Sequence, residues 1–296
     1  MDELLKEEAR AFAQGEIPAS VLMPESFVSH LRRIPKLMWD GYTMRRRRQN
    51  GRTTKFDKKA KDLADELPRY YQRNFHFQTN GYLSQDSAEL YEHQVEVLFG
   101  GAADAMRRLI LKPLRKHFGD AALQDQGRGL KILEIAAGTG RGSRFVKALF
   151  PKAHVTVSDL SDPYLRVARR KLKNLDRMDF IQADATRLPC QDAEFDAVFS
   201  IFLFHELPME ERKKALAEAS RVLKPGGFFG LVDSMQIHDR KDFESILRAF
   251  PENYHEPFFR NYAENPMEAL VALPQALKDA ATSTGFLSQG LVGTRG

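Results

Sequence analysis

The stretch Leu130-Lys-Ile-Leu-Glu-Ile-Ala-Ala-Gly-Thr-Gly-Arg-Gly142 runs from an apolar segment through the carboxylate Glu134 into a glycine-rich turn, and a helical segment, Ser143 to Phe150, follows. Strand, tight turn and helix in that order bring bare backbone N–H groups up to a ligand at the head of a parallel sheet. Gly138 and Gly140 supply the positive φ and the close approach that a Cβ would block. A second alternating run, Ala153 to Asp159, ends in a carboxylate 25 residues after Glu134 (159 − 134). An acid at that strand tip is placed to accept hydrogen bonds from both hydroxyls of a ribose. A third short run, Phe180 to Ala185, carries Asp184 near its end, and a fourth, Ala197 to Phe204, leads into His205 and Glu206. Ligands of open α/β sheets sit beyond such strand ends. Imidazole there suits a base or a group that orients an acceptor, because its pKa lies near neutrality; a helix cap or a packing role under a lid is the plainer alternative.

Two ligand classes use this turn. A dinucleotide fold asks for G-x-G-x-x-G, and Gly138 and Gly140 fit it while Ser143 stands at the third glycine. The segment Glu134-Ile-Ala136-Ala-Gly138-Thr139-Gly140 instead resembles the first motif of the class I S-adenosylmethionine-dependent methyltransferases, with Ala136 in place of the first glycine. The run Asp184-Ala-Thr-Arg-Leu-Pro-Cys-Gln-Asp-Ala-Glu-Phe-Asp196 and the helix-turn-strand Ala217 to Phe228 resemble later motifs of that family, in its small-molecule, quinone-biosynthesis-like branch. Together the five motifs cover roughly residues 130 to 233.

The resemblance implies an α/β, doubly wound, mostly parallel seven-stranded sheet that binds S-adenosyl-L-methionine. It carries cofactor contacts over to Glu134, Ala136, Gly138, Thr139, Gly140, Asp159, Leu160, Asp184, Ala185 and Ser200, with Asp184 accepting from the adenine amino group. Methyl transfer from a sulfonium is an in-line displacement that asks the protein to align a nucleophile roughly 3 Å from the methyl carbon and exclude water. A base is required only where the acceptor is protonated. His205 is the first candidate for base or orienting group, Glu206 its partner or rival, and His76 and His255 lesser candidates. No Asn/Asp-Pro-Pro-Tyr follows the fourth strand and no magnesium motif of the catechol type is present, so no metal is expected.

These residues need elements to hold them. The chain divides on this reading into an N-terminal helical extension and lid, 1–85, and a Rossmann-like domain, 86–296, with core motifs at 130–233 and an acceptor-pocket insertion at 234–281. Helices are expected over residues 1 to 20, from Ser84 or Ser87 to Phe99, and from Ala102 to Phe118, with glycine turns between them. The stretch 68–99 mixes rings with amides and suits a pocket for a planar, partly polar ligand. Its candidates for acceptor contact are Tyr70, Tyr71, His76, Gln78, Tyr82 and Tyr91, joined by His255, Phe258 and Tyr262 from the insertion; ordinary core packing is the alternative for most of these rings. Asn265-Pro266 opens a helix that Pro274 interrupts, and Thr282 to Phe286 reads as a loop. The ten residues after it are too few for two strands, so the last strands are expected to be short or one of them missing.

Composition narrows the class. The 296 residues are 43% hydrophobic with no run of 18 apolar residues, so no transmembrane helix is expected. The acidic N-terminus lacks the layout of a signal peptide. The single cysteine, Cys190, excludes an intrachain disulfide and suits a reducing cytoplasm. Pro189-Cys190-Gln191 mimics a DNA-methyltransferase nucleophile motif but precedes the fourth strand rather than following it. Net charge is +5, yet residues 32–73 alone carry fourteen Lys and Arg against five acids, a balance of +9. Such a cluster is either a solvated face or a docking surface for phosphates. Three functions follow: methylation of a small, flat or apolar acceptor; an RNA- or protein-directed methyltransferase docking through 32–73; and a non-catalytic cofactor-binding subunit. Oligomeric state is not legible.

Overall fold

Alternation along the central strands splits the core in two. Ile132, Val155, Val157, Ala197, Phe199 and Phe228 face one side of the sheet, and Leu133, Ile135, Val198, Phe229 and Leu231 face the other, as period-two side-chain geometry dictates. The computed structural model describes residues 1–22, 56–271 and 278–296, with isolated positions 39, 42, 45, 46, 49 and 50. Seven strands form one sheet: β1 Lys131–Ile135, β2 His154–Asp159, β3 Met178–Gln182, β4 Phe195–Ile201, β5 Leu223–Ser234, β6 Lys278–Gly285 and β7 Ser288–Thr294. Their order is β3-β2-β1-β4-β5-β7-β6. β1 to β5 run parallel, and β7 enters antiparallel between β5 and β6.

Both faces are covered, as a parallel sheet requires. The helices, in chain order, are α1 Asp2–Ala13, α2 Lys58–Asp65, α3 Gln85–Leu98, α4 Ala103–Arg107, α5 Leu111–Gln124, α6 Arg141–Leu149, α7 Asp162–Leu172, α8 Met209–Val222, α9 Glu244–Tyr254, α10 Phe259–Glu264 and α11 Met267–Val271. Residues of α5, α6 and α7 pack on the first face, together with Ala11, Ile17 and Val21; α8, α10 and α11 supply the second. Among the described residues no helix is long and apolar enough to cross a membrane.

Four sequence expectations change. The last two strands are full length, because the threonine-rich stretch before Gly285 is itself β6 and the hairpin turns at Phe286 and Leu287, with Phe286 at φ +57°. Gly285 ends a strand rather than lying in a loop, and a Cβ there would meet Leu4 and Leu109 at 3.0 Å. The expected helix from Ala102 breaks at a 3-10 turn, Arg108–Ile110, and restarts at Leu111 with Pro113 in its first turn, where the missing N–H costs nothing. β3 ends at Gln182, which leaves Asp184 two residues beyond the strand. Pro225-Gly226-Gly227 belongs to an irregular start of β5: Leu223 pairs with Phe195 and pairing resumes at Phe228. Pro274 lies outside the described residues.

Candidate active site

The sheet order reverses beside β1, and the loops after β1, β2 and β4 meet there. Gly138 and Gly140 take φ of +57° and +79°, and Ala136 takes +54°. A Cβ on Gly140 would sit 2.6 Å from Leu172 Cδ1, so this glycine lets the turn lie against α7. The Gly138 N–H donates to Asp159 Oδ2 at 2.7 Å, and the Ser161 N–H donates to Oδ1 at 2.8 Å. Burial lifts the Asp159 carboxyl to about 6 against those two bonds. Glu134 holds the start of α6: the Ser143 N–H donates to its Oε2 at 2.7 Å and the Ser143 hydroxyl donates to the same oxygen. Burial lifts that carboxyl to about 8 despite the Ser143 bonds.

Glu134, Ala136, Gly138, Thr139, Asp159 and Leu160 line a cleft enclosing about 950 Å³, its open mouth included. The stretch 68–99 roofs it. Tyr70, Tyr71, Tyr82 and Tyr91 reach the cleft, Phe75 stacks on Tyr82 at 5.5 Å, and the Ser161 hydroxyl donates to the Tyr82 carbonyl at 2.6 Å. Glu92 fastens α3 over the glycine turn, accepting from the Thr139 hydroxyl and pairing with Lys171 at 2.6 Å. Arg107 also reaches the wall. It pairs with Asp104 through Nη1 at 2.9 Å, while its buried Nη2 has no hydrogen-bond partner among the described residues.

A second chamber adjoins the first and shares Tyr91, Phe202 and Glu206 with it. Val95, Val97, Leu98, Phe99, Phe250 and Tyr254 give it a long apolar body of about 1090 Å³, mouth included. Its polar end is formed by His76, His205, Glu206 and Glu256. His205 Nδ1 lies 2.5 Å from Asp233 Oδ1, and the Phe204 and Ser234 N–H groups donate to the same carboxylate at 2.7 Å. The Tyr82 hydroxyl donates to Glu206 Oε1 at 2.5 Å. Burial works against a charged His205 ring, but Asp233, Glu256 and Glu206 outweigh it and raise the pKa to about 10. A ring so held keeps its proton at neutral pH, which suits orienting an acceptor better than removing a proton from it.

With this geometry in place, comparison with known proteins is decisive. Residues 132–227 match the Methyltransferase domain family. A demethylmenaquinone methyltransferase of Clavibacter sepedonicus is 46% identical over 99 residues, 33% of this chain and 39% of that one. A fatty-acid O-methyltransferase of Mycolicibacterium smegmatis is 32% identical over 134 residues, 45% and 48% of the two chains. Residues 132–227 form a class I S-adenosylmethionine-dependent methyltransferase domain. The chain spans about half the length of the curated relatives it matches. The fold is shared with the DszA carbon methyltransferase, at TM-score 0.51 and 16% identity over 73% of this chain and 61% of that one.

Against the methyltransferase domain the expected site residues sort as follows. Of the cofactor set, Glu134, Ala136, Gly138, Thr139, Asp159, Leu160 and Ala185 line the first chamber. Gly140 supports the turn from behind. Ser200 donates its hydroxyl to the Ile135 carbonyl at 2.9 Å, within the sheet. Asp184 Oδ1 accepts from the Thr186 N–H and hydroxyl, each at 2.8 Å, and from Tyr70 at 3.3 Å; neither Ser200 nor Asp184 forms part of the chamber wall. Of the acceptor set, Tyr70, Tyr71 and Tyr82 face the first chamber, His76 and Gln78 the second, and Tyr91 both. His255, Phe258 and Tyr262 line neither: Tyr262 is fully buried and donates to the Ser234 carbonyl at 2.7 Å, and Phe258 packs under the Arg73 guanidinium. Cys190 is half-buried in the loop before β4, with its thiol pKa pushed up by burial. Glu92, Arg107, Asp233 and Glu256 were not found from the sequence. Asp233 had a signal, an acid near the end of a buried strand; the other three had none. Half of the basic cluster, Arg32, Arg33, Lys36, Arg47, Arg48, Arg52 and Lys55, lies outside the described residues.

Proposed function

We propose that this protein transfers a methyl group from S-adenosylmethionine to a small acceptor with a polar head and an apolar body. The observation that carries the reading is the shared wall: Tyr91, Phe202 and Glu206 line both chambers. A cofactor in the first and an acceptor in the second would be neighbours across these three residues, the proximity that in-line displacement requires.

The residues of the first chamber fit the cofactor. Arg107 Nη2, a buried donor without an acceptor, matches the methionyl carboxylate, because a buried guanidinium donor left unpaired is costly. Glu134 suits the methionyl ammonium, Asp159 the ribose hydroxyls, and Leu160 and Ala185 the adenine faces. Bound there, S-adenosylmethionine supplies a methyl group on an excellent leaving group. The chain's own residues do the rest. The tyrosines of the roof exclude water, and His205 with Glu206 orients the acceptor head at the boundary. Asp233 positions His205.

The apolar body of the second chamber supports quinol-like or long-chain acceptors, in line with the quinone and fatty-acid relatives. An open chamber beside the cofactor cleft speaks against a purely supporting subunit. The test is S-adenosylhomocysteine release from S-adenosylmethionine across phenols, quinols and medium- to long-chain carboxylic acids. Release with one such class is expected. No release across the panel, from protein that binds S-adenosylhomocysteine, would contradict the reading.

A further inference from the structure

His76, Glu206, His205 and Glu256 close a ring in which imidazole and carboxylate alternate. Its edges are 3.4 Å from His76 Nε2 to Glu206 Oε1, 3.9 Å on to His205 Nε2, 3.4 Å from that nitrogen to Glu256 Oε2, and 3.2 Å from Glu256 Oε1 back to His76 Nδ1. The edges use both nitrogens of His76 and both oxygens of Glu256, so they do not outline a four-ligand shell; one donor atom each from His76, Glu206 and Glu256, however, lies within 4.8 Å of the other two, the span of three ligands about an ion.

Further facts point inward. Glu256 is 1% exposed, yet neither of its oxygens accepts a hydrogen bond among the described residues, and His76 Nδ1 is likewise buried without one. Glu256 has two imidazole nitrogens within 3.4 Å yet accepts a hydrogen bond from neither, so its buried carboxylate is incompletely satisfied. His205 stands beside the set, one ring nitrogen held by the buried Asp233 carboxylate and the other 3.4 Å from Glu256 Oε2. Its holder is fixed in turn by two backbone N–H groups. The backbone is strained to deliver this set, with His76 at φ +54° and His255, next to Glu256, at +51°.

We propose that His76, Glu206 and Glu256 form a binding site for a divalent first-row transition ion at the polar end of the acceptor chamber, with His205 beside it. One imidazole and two carboxylates suit zinc, manganese, iron(II) or cobalt, and an imidazole ligand does not suit magnesium, which takes oxygen ligands. The ion lies where the acceptor head enters. Resting on the methyl-transfer reading, its open position takes an acceptor oxygen, which selects phenols, hydroxyls or carboxylates.

The experiment is titration of the full-length, chelator-treated protein with Co²⁺ followed by visible absorption, with Zn²⁺ competition and calorimetry. One equivalent with the intense bands of a four- or five-coordinate ion is expected, displaced by Zn²⁺ and untouched by Mg²⁺. Glu256→Gln and His76→Gln should remove the signal. Far-UV circular dichroism and thermal melts of each ion-free variant establish that it is folded. No stoichiometric binding by the wild type, or an undiminished signal in folded Glu256→Gln, overturns the proposal. S-adenosylhomocysteine binding is read separately. If it fails while the cobalt signal stands, the methyl-transfer reading falls and the ion site does not; the converse result does the opposite.

Discussion

The Asp159 carboxylate accepts the Gly138 N–H at 2.7 Å, so the tip of β2 and the glycine turn after β1 are one unit before any ligand arrives. The carboxylate, bonded by the Gly138 and Ser161 N–H groups, retains lone pairs for a ligand's hydroxyls. Organisation of this kind lowers the ordering cost of binding.

A pH dependence follows. Asp159 is held at about 6 by burial, so in the ligand-free protein it is ionised above pH 6 and neutral below. Accepting two hydroxyls favours the ionised form. The Asp159 contribution to S-adenosylhomocysteine affinity should fall by up to about tenfold per unit below pH 6, on top of the separate loss that sets in as Glu134 takes up its proton below pH 8. Asp159→Asn should bind at least ~10-fold more weakly at pH 7.5 and show no such break. Calorimetry between pH 5 and 8 checks both.

Glu134 predicts a stability effect of the opposite sense to that of a salt-bridged acid. Its folded value, about 8, lies above the ordinary 4.5 because of burial. The stability it contributes is fully present below pH 4.5 and is lost as pH rises through 8, since the folded state binds the extra proton between those limits. The ligand-free melting temperature should fall from pH 6 to 9, and Glu134→Gln should flatten that fall. An equal slope in both proteins refutes the assignment.

Gly142 is a steric requirement. A Cβ there would come 2.2 Å from Glu134 Oε1 and 2.8 Å from Ile201 Cδ1. Gly142→Ala should destabilise the fold by ~1–3 kcal/mol and loosen the Glu134–Ser143 clamp. Denaturant melts of the two proteins read the difference directly.

His205→Gln should lower turnover by ~100-fold through a misplaced acceptor, with little change in S-adenosylhomocysteine affinity, because His205 faces the acceptor chamber. A fall of less than threefold, measured with any acceptor the protein turns over, would remove His205 from the reaction.

What could be read from the chain alone was what is local. Glu134, Gly138 and Asp159 announce themselves because a strand tip and its turn lie within a few residues of one another. β6 was missed because Thr282 to Gly285 reads as a loop, although its β-branched threonines suit a strand; pairing with β7 makes it one. Arg107, Glu92 and Glu256 come from separate helices and loops, and their meeting is a product of tertiary packing. Asp184 shows the limit of carry-over by motif: it lies two residues past the end of β3, and its Oδ1 is engaged in its own turn with Thr186.

The most direct test of the whole account is a calorimetric titration of S-adenosylhomocysteine into the folded wild-type protein and into Arg107→Leu. Saturable binding at one site per chain, weakened at least ~10-fold when the Arg107 guanidinium is removed, is the predicted result. Absence of heat from folded wild-type protein would contradict it.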